Sequence, residues 1–173
     1  MRPESAELLS RAMGGEGDRV AMRFGRGCRA FARIVDDEVV AYGWLSAGRE
    51  WVGELAVYVD PAPGEAYVWN CFTVEAHRRR GHYRRVLEGI VSVARSEGLR
   101  RLWIGSVDVP AEKADMDAGF ERVLRFDVSH DGTTRTLTVS AAPGADEAIV
   151  HVARQRLGLR GWTDTGPAVA RVH

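Results

Sequence analysis

The feature that most constrains the fold of this chain is residues 65–98, which read as a β-strand, a tight basic turn and an α-helix. The predicted strand covers residues 66–74. From about Tyr83 to Glu97, apolar residues recur at the spacing of one helix face, namely Val86, Leu87, Ile90, Val91 and Ala94. Gly98 then provides a common helix ending. A strand that leads directly into a long helix predicts a layered arrangement of sheet and helices.

The turn between the predicted strand and helix is strongly basic. Five arginines fall within eight residues there: Arg78, Arg79, Arg80, Arg84 and Arg85. The first backbone N–H groups of a helix have no intrahelical partner, and the helix dipole places positive potential at the same end. Gly81 can take a left-handed conformation at no steric cost. The turn is therefore predicted to bind an anion, and specifically a phosphate group.

The composition of the chain restricts the kinds of ligand that this positive charge is expected to bind. The chain has 173 residues, 45% of them hydrophobic and 28% charged, which is typical of one soluble globular domain. Its 24 basic residues are balanced by 24 acidic residues, so the formal net charge is zero. A general nucleic-acid-binding protein usually carries a basic surplus, and no nucleic-acid partner is expected. The positive field is expected to be local to the arginine turn.

Cysteine and histidine spacings give no sign of a metal site. The sequence contains no C-x-x-C, H-x-x-x-H or H-E-x-x-H pattern, so no metal is predicted. Cys28 and Cys71 are expected to be free thiols inside strands. No apolar stretch is long enough to span a bilayer, and the N-terminus lacks the apolar core of a signal peptide. We expect a reduced, cytoplasmic protein with no membrane partner.

The remaining segments predict the other elements. Helices are expected at residues 4–13, 110–118 and 144–158, and strands at 19–24, 28–35, 39–45, 51–59 and 101–104. A last hairpin is expected at 122–129 and 134–140, around Asp131–Gly132. Residues 160–173, with Trp162, are read as a tail or capping segment. This order predicts an α/β (α+β) fold with a single mixed, mostly antiparallel twisted sheet and helices on both faces.

The motif Arg78-Arg79-Arg80-Gly81-His82-Tyr83 resembles the Arg/Gln-x-x-Gly-x-Gly/Ala signature of the GCN5-related N-acetyltransferase (GNAT) superfamily. Gly119–Phe120 lies at the distance where that family often has Gly-Phe, and the spacing holds from about residue 28 to residue 140. Three positions depart from the pattern. Tyr83 replaces a small residue, Asp108 replaces an asparagine, and Asp115 replaces the tyrosine that many relatives use as a general acid.

The resemblance implies an N-acetyltransferase that moves an acetyl group from acetyl-CoA to a primary amine of a small molecule or protein. The reaction would be a direct attack in a ternary complex. The acyltransferase domain would cover residues 1–143, and residues 144–173 would belong to the same domain or form a homodimer contact. The implied cofactor-binding residues are Phe72, Thr73, Val74, Arg78, Arg79, Arg80, Gly81, His82, Tyr83 and Arg84.

The catalytic groups implied by the resemblance are less defined. An attacking amine must lose a proton, so a carboxylate or a water chain is expected near the reacting carbonyl. Glu54, Glu65 and Asn70 lie on or beside the central strands and are the candidates for this role. Asp115 stands at the general-acid position, although an ionised aspartate cannot donate a proton. Because of Asp115 and the lack of an evident base, a CoA-binding pseudoenzyme or regulatory module without turnover remains the alternative.

Overall fold

The computed structural model describes residues 5–107, 109–131, 134–158 and 168–172. Helices α1 to α5 span Ala6–Met13, Val20–Gly25, His82–Ser96, Val109–Asp117 and Glu147–Arg156. Short 3₁₀ helices cover Gly14–Arg19 and Glu75–His77. Strands β1 to β9 span Arg29–Val35, Glu38–Ser46, Glu50–Val52, Val57–Val59, Glu65–Thr73, Arg101–Ile104, Leu124–Asp131, Thr134–Ala141 and Ala168–Val172. None of the helices in this described part is both long enough and apolar enough to cross a membrane.

The central sheet has four strands in the order β1-β2-β5-β6. The β1–β2 and β2–β5 pairs are antiparallel, and β5 runs parallel to β6. The turn from β1 to β2 places Asp36 at φ 49° and Asp37 at φ 61°. Two successive positive φ angles give the turn twist that suits a two-residue hairpin. The expectation of a mixed, mostly antiparallel sheet is confirmed.

Helices cover both faces of this sheet. On one face, Leu9 and Met13 of α1 pack with Trp44 of β2. On the other face, Leu87 and Ile90 of α3 form a cluster with alternating residues of β2 and β5, among them Ala41, Leu45, Ala66 and Val68. Side chains alternate between the faces of a strand, so a strand buried on both faces is apolar throughout. The predicted fold class is confirmed with one refinement, because the other described strands pair only among themselves, β3 with β4 and β7 with β8 and β9.

The chain divides into two compact units. The first contains Met1–Gly48 and Pro61–Phe120, and it holds the four-stranded sheet with α1 to α4. The second contains Arg49–Asp60 and Glu121–His173, with Leu137 and Val139 of β8 among its buried residues. The predicted domain division after residue 143 is not tested by these units and stays a prediction.

Three local expectations need correction. Residues 19–24 were expected to form a strand, but Arg19 ends the first 3₁₀ helix and residues 20–24 lie in α2, where Val20 and Arg23 are buried one helical turn apart. Residues 51–59 form a hairpin rather than one strand, because the chain turns at 53–56 and Ala56 has φ 53°. Ala168–Val172, read as part of a tail, pairs with β8. Expectations for Asp108, Gly132 and Trp162 lie outside the described residues.

Candidate active site

The arginine turn has the backbone geometry that the sequence predicts. Strand β5 ends at Thr73, and Gly81 immediately precedes α3 with φ 75°, which confirms the left-handed conformation. Arg79 also has a positive φ of 61°. The first backbone bond of the helix runs from Arg85 N to Gly81 O at 3.2 Å. The amides of residues 82–84 precede this bond, so they are the donors that a helix leaves for a ligand at its N-terminus.

The side chains of the turn make it electropositive. Arg78, Arg79, Arg80, Arg84 and Arg85 are all exposed. Arg78 donates from Nε to Thr73 O at 3.3 Å and lies over the Phe72 ring. Arg84 pairs with Glu88 at 3.0 Å, a surface ion pair of small energetic value. These contacts leave most of the guanidinium groups directed to solvent at one end of α3.

The pKa of His82 is affected by the positive charges around the turn. Partial burial, together with Arg33, His77, Arg80 and Arg85, lowers the pKa of His82 below its ordinary value. The imidazole is therefore neutral at pH 7. Arg33 of β1 is a member of this cationic group that the sequence did not indicate, because it lies far from the turn in the chain. An anion bound beside His82 would lie near four further groups that are cationic or titratable, namely Arg33, His77, Arg80 and Arg85.

Beside the turn, β5 and β6 separate. Their parallel pairing runs from Glu65 opposite Arg101 to Val68 opposite Ile104, where β6 ends, while β5 continues to Thr73. A strand edge without a partner presents backbone N–H and C=O groups to a ligand. We call the space beside residues 69–73, on the side where β6 ends, the strand gap. It lies directly before the arginine turn in the chain.

Strand β5 is also bulged at the start of the strand gap. Trp69 lies opposite Trp44 and Phe72 lies opposite Tyr42, so Asn70 and Cys71 face the single residue Gly43. Asn70 takes φ 44°, a left-handed conformation that asparagine tolerates better than most residues. A bulge of this kind turns backbone groups away from the regular ladder. The strand gap therefore contains backbone groups that are not committed to the regular β2–β5 pairing.

Two orphaned polar atoms flank the arginine turn. Thr73 Oγ1 and His82 Nδ1 are inaccessible to solvent and have no hydrogen-bond partner within the ranges that the structure describes. Buried polar groups are usually hydrogen-bonded, so such atoms call for an explanation. Both belong to the residues that the resemblance assigns to cofactor binding. A ligand with polar groups along the strand gap and the turn would supply their partners.

The two departures at positions 83 and 115 contact each other. Tyr83 Oη donates to Asp115 Oδ1 at 2.8 Å, and Asp115 is only 4% exposed. The Tyr83 side chain packs against the apolar cluster between α3 and the sheet. The phenol ring is therefore partly buried against this cluster, while the Tyr83 amide remains in the first turn of α3. Tyr83 and Asp115 form one hydrogen-bonded pair, with Asp115 buried and Tyr83 partly buried, instead of two independent changes in the site.

We expect Tyr83 and Asp115 to be energetically coupled. Tyr83→Phe and Asp115→Ala should each lower the free energy of unfolding by about 1.5–3 kcal/mol, because each removes one partner of a hydrogen bond to a buried carboxyl group. The double variant should lose less than the sum, with a coupling of about 1 kcal/mol or more. Urea unfolding of the four proteins measures this coupling. Tyr58→Phe, at a 43% exposed tyrosine, is the control, and additive losses would contradict the pairing.

The four predicted catalytic residues lie in different surroundings. Asn70 is at the bulge in the strand gap, and Asp115 is buried against Tyr83. Glu65, at the first residue of β5, is 4% exposed and accepts from Arg101 Nη1 at 2.8 Å and Trp103 Nε1 at 2.9 Å. These contacts join β5 to β6 at the end of the sheet where the two strands are paired. Glu54 is exposed in the turn between β3 and β4, in the second unit. Among the four, Asn70 is the residue placed in the strand gap.

Cys71 lies beside Asn70 but is a poor nucleophile. Burial, with a smaller contribution from the charge of Asp115, raises the pKa of the Cys71 thiol to about 12. The thiolate is the reactive form of cysteine, and at pH 7 it is almost absent here. The described residues contain no group of three or more His, Cys, Asp or Glu side chains able to hold a metal ion.

Sequence reasoning missed two residues that contact Asn70. Arg23 of α2 donates from Nη1 to Asn70 Oδ1 at 2.9 Å, and Asn70 Nδ2 donates to Glu16 Oε2 at 3.1 Å. The contact of Arg23 with Asn70 was not expected, because the segment that contains Arg23 was predicted to be a strand. Glu16 gave no signal, since it lies in a glycine-rich segment that was read only as a helix ending. Both residues come from the helical segment on the face of the sheet opposite α3.

Solved structures with the same fold include several acetyltransferases. One is the aminoglycoside N-acetyltransferase AAC(6')-Iy in complex with CoA, with a TM-score of 0.57 and 14% identity over 76% of this chain and 91% of that chain. Another is a ribosomal-protein-alanine N-acetyltransferase from Brucella melitensis biovar Abortus 2308. It has a TM-score of 0.52 and 11% identity over 70% of this chain and 89% of that chain. At these identities the likeness shows the fold.

A further structure of AAC(6')-Iy, with the bisubstrate analogue CoA-S-monomethyl-acetylneamine, has a TM-score of 0.53 and 15% identity, covering 70% of this chain and 87% of that chain. No curated protein sequence matches this chain significantly. The family model for the acetyltransferase (GNAT) family matches residues 7–116, more than half of the chain. The matched segment contains most of α1, the bulge of β5, the strand gap and the arginine turn. This chain belongs to the acetyltransferase (GNAT) family.

Proposed function

We propose that this protein transfers the acetyl group of acetyl-CoA to a primary amine by direct attack in a ternary complex. The observation that carries the proposal is the continuity of the strand gap with the arginine turn. An open strand edge, a helix N-terminus capped by left-handed Gly81 and a group of exposed arginines follow one another between residues 69 and 85. An elongated ligand with amide groups and a pyrophosphate matches this succession of polar groups.

The residues present suit such a ligand. The amides of residues 82–84 and the guanidinium groups of the turn would hold a pyrophosphate through charge-assisted hydrogen bonds. The edge of β5 at Phe72, Thr73 and Val74 would pair with amide groups as an added strand does. The orphaned atoms Thr73 Oγ1 and His82 Nδ1 would gain partners. Acetyl-CoA, when bound, supplies a thioester that is activated toward amines.

The catalytic contribution of the chain is mainly positioning and polarisation. A backbone N–H at the bulge of β5 would donate to the thioester carbonyl, where negative charge develops as the amine attacks. Holding both reactants in the strand gap replaces a bimolecular encounter with a local one. Asn70 is the predicted catalytic residue that lies at this position. The proton of the amine would pass to a carboxylate or to water that reaches the strand gap.

The acceptor is proposed as a primary amine of a small molecule or a protein. The structures with the same fold include enzymes whose names state both kinds of acceptor, an aminoglycoside and a ribosomal protein. The first experiment follows release of free thiol from acetyl-CoA over a panel of aminoglycosides, polyamines, amino acids and peptides. Release that depends on one class of amine supports the proposal. Tight CoA binding with no amine-dependent release would instead support the pseudoenzyme or regulatory module.

The lowered pKa of His82 predicts a pH dependence of acetyl-CoA binding. Phosphate groups beside the imidazole favour its charged form, so binding should raise the pKa toward or above the ordinary value of about 6.5. The complex should then take up protons, and affinity should rise as pH falls from 7.5 to about 6. Calorimetry at pH 6.5 in two buffers of different ionisation enthalpy measures the uptake. His82→Gln should reduce it, and equal uptake in both proteins would contradict this role.

A further inference from the structure

Arg23 is a buried cation at the edge of the strand gap. It is 3% exposed, and its guanidinium carbon lies 5.1 Å from the Trp44 ring centre and 4.5 Å from that of Trp69. Nη1 donates to Asn70 Oδ1 at 2.9 Å, and Nη2 donates to Glu16 Oε2 at 2.8 Å. A planar guanidinium suits this place because it stacks on indoles while it donates in fixed directions. We call Glu16, Arg23 and Asn70 the Arg23 cluster.

The geometry of the cluster constrains Asn70 from two sides. The Asn70 amide accepts from Arg23 through Oδ1 and donates to Glu16 through Nδ2, so both ends of the amide are engaged. Its backbone has φ 44°. A strained backbone conformation persists where the surroundings determine it, and here the side-chain hydrogen bonds provide that determination. The cluster thus ties the bulge of β5 to the helical segment that contains Glu16 and Arg23.

The Arg23–Glu16 ion pair, with Arg23 buried and the Glu16 side chain 40% exposed, is weak evidence for a stabilising role, because desolvation of Arg23 offsets much of the attraction between the charges. The position of the cluster points to another use. The bulge begins two residues after Val68, the last residue of β5 that pairs with β6. The direction of the backbone N–H groups at the start of the strand gap depends on how this bulge is held. Arg23 and Glu16 hydrogen-bond the Asn70 side chain at this bulge, and Arg23 does so from a buried position.

We propose that Arg23 is a positioning residue for acyl transfer, which holds Asn70 and the bulge of β5 so that a backbone N–H points at the reacting carbonyl. This inference rests on the proposed acetyl transfer. Arg23 itself is buried and would act through its hydrogen bond to Asn70. Its loss should lower kcat and leave the binding of acetyl-CoA at the arginine turn unchanged. Loss of a residue that only stabilises the fold would not lower kcat while leaving acetyl-CoA binding unchanged.

The test compares Arg23→Met with Arg19→Met. Methionine keeps an unbranched side chain of similar reach between the two indoles but removes the donors. Like Arg23, Arg19 pairs with the carboxylate of Glu16, in this case at Oε1. Its side chain is 61% exposed, so Arg19→Met is a matched control. Arg23→Met should lower kcat by about 10–100-fold, the scale of a small misplacement of reacting groups. The KM for acetyl-CoA should stay within about threefold in both variants.

Two further variants separate positioning from general destabilisation. Asn70→Ala removes the side chain that Arg23 holds, from an exposed residue, and should reproduce the loss of kcat. The double variant should be no slower than the slower single variant, because both changes break one unit. Arg23→Lys should recover part of the activity, since lysine can still donate to Asn70. Wild-type kcat in folded Arg23→Met, or losses that multiply in the double variant, would overturn the inference.

Backbone amide shifts test the role of Arg23 without enzymatic turnover, so they separate this inference from the proposed function. In ¹⁵N–¹H NMR, Arg23→Met should shift the amides of residues 70–72 and leave those of residues 82–84 in place, whereas Arg19→Met should shift neither set. If no amine gives turnover with the wild-type protein, the proposed acetyl transfer fails, and these shifts still test whether Arg23 holds the bulge. Unchanged amides at residues 70–72 in Arg23→Met would overturn that role.

Discussion

Arg80→Glu is expected to lower the affinity for acetyl-CoA by about 100-fold or more, because it replaces a charge-assisted hydrogen bond to phosphate with repulsion. Arg80 is exposed beside Gly81, at the N-terminus of α3, where the helix dipole also favours an anion. The side chain is outside the apolar clusters, so the fold should survive. Calorimetric titration with acetyl-CoA, together with circular dichroism of the variant, measures both expectations.

Arg95→Glu is the matched control for this charge reversal. Arg95 is an exposed residue in the last turn of the same helix, so the substitution changes the net charge equally but at the opposite end. Its acetyl-CoA affinity should stay within about threefold of the wild-type value, since exposed charges more than a Debye length apart are largely screened. Equal losses in the two variants would mean that net charge, and not the arginine turn, determines binding.

Glu65→Ala is expected to lower the free energy of unfolding by about 3 kcal/mol, the low end of the range for removing one partner of a buried ion pair. The low end applies because the Arg101 side chain is 32% exposed and can regain water. The Trp103 indole N–H would also lose its acceptor. Urea unfolding measures the change. Glu54→Ala, in an exposed turn, should change stability by less than about 0.5 kcal/mol.

The Glu65 variant also distinguishes a structural role from the catalytic role that the sequence left open. If Glu65 only joins β5 to β6, amine-dependent thiol release per folded molecule should stay within about threefold of the wild-type rate. A stable, folded Glu65→Ala protein with little turnover would show that Glu65 takes part in the reaction. The same comparison for Glu54→Ala tests the second carboxylate candidate.

The arginine turn could be predicted because its determinants are local. The apolar stripe of α3 follows from residue spacing, and the left-handed Gly81 follows from the one glycine in a tight turn. The β1–β2 hairpin at Asp36 and Asp37 was equally readable. In each case the residues that define the element are neighbours in the chain, so the sequence contains the whole signal.

The Arg23 cluster could not be predicted, because it depends on contacts between distant residues. Arg23 and Asn70 are 47 positions apart, and their contact exists only once α2 packs on the sheet. Residues 19–24 were expected to form a strand, whereas Val20 and Arg23 are buried on one face of a helix.

Tyr83 and Asp115 show a further limit of reading positions singly. Each was interpreted as a departure from the family pattern, one near the cofactor and one at a proton donor. The hydrogen bond between them spans 32 positions and makes them one feature of the packing between α3 and α4. The sequence shows both residues, but it cannot show that each is the other's partner.

Hydrogen exchange in the presence of acetyl-CoA measures whether the ligand binds along the strand gap and the arginine turn. Mass spectrometry of the wild-type protein with saturating acetyl-CoA should show slower amide exchange in two segments, residues 72–74 on the edge of β5 and residues 82–84 at the start of α3. Arg80→Glu at the same concentration should show little change in either. Protection confined to other segments, or no protection at all, would contradict the assignment of acetyl-CoA to the strand gap and the arginine turn.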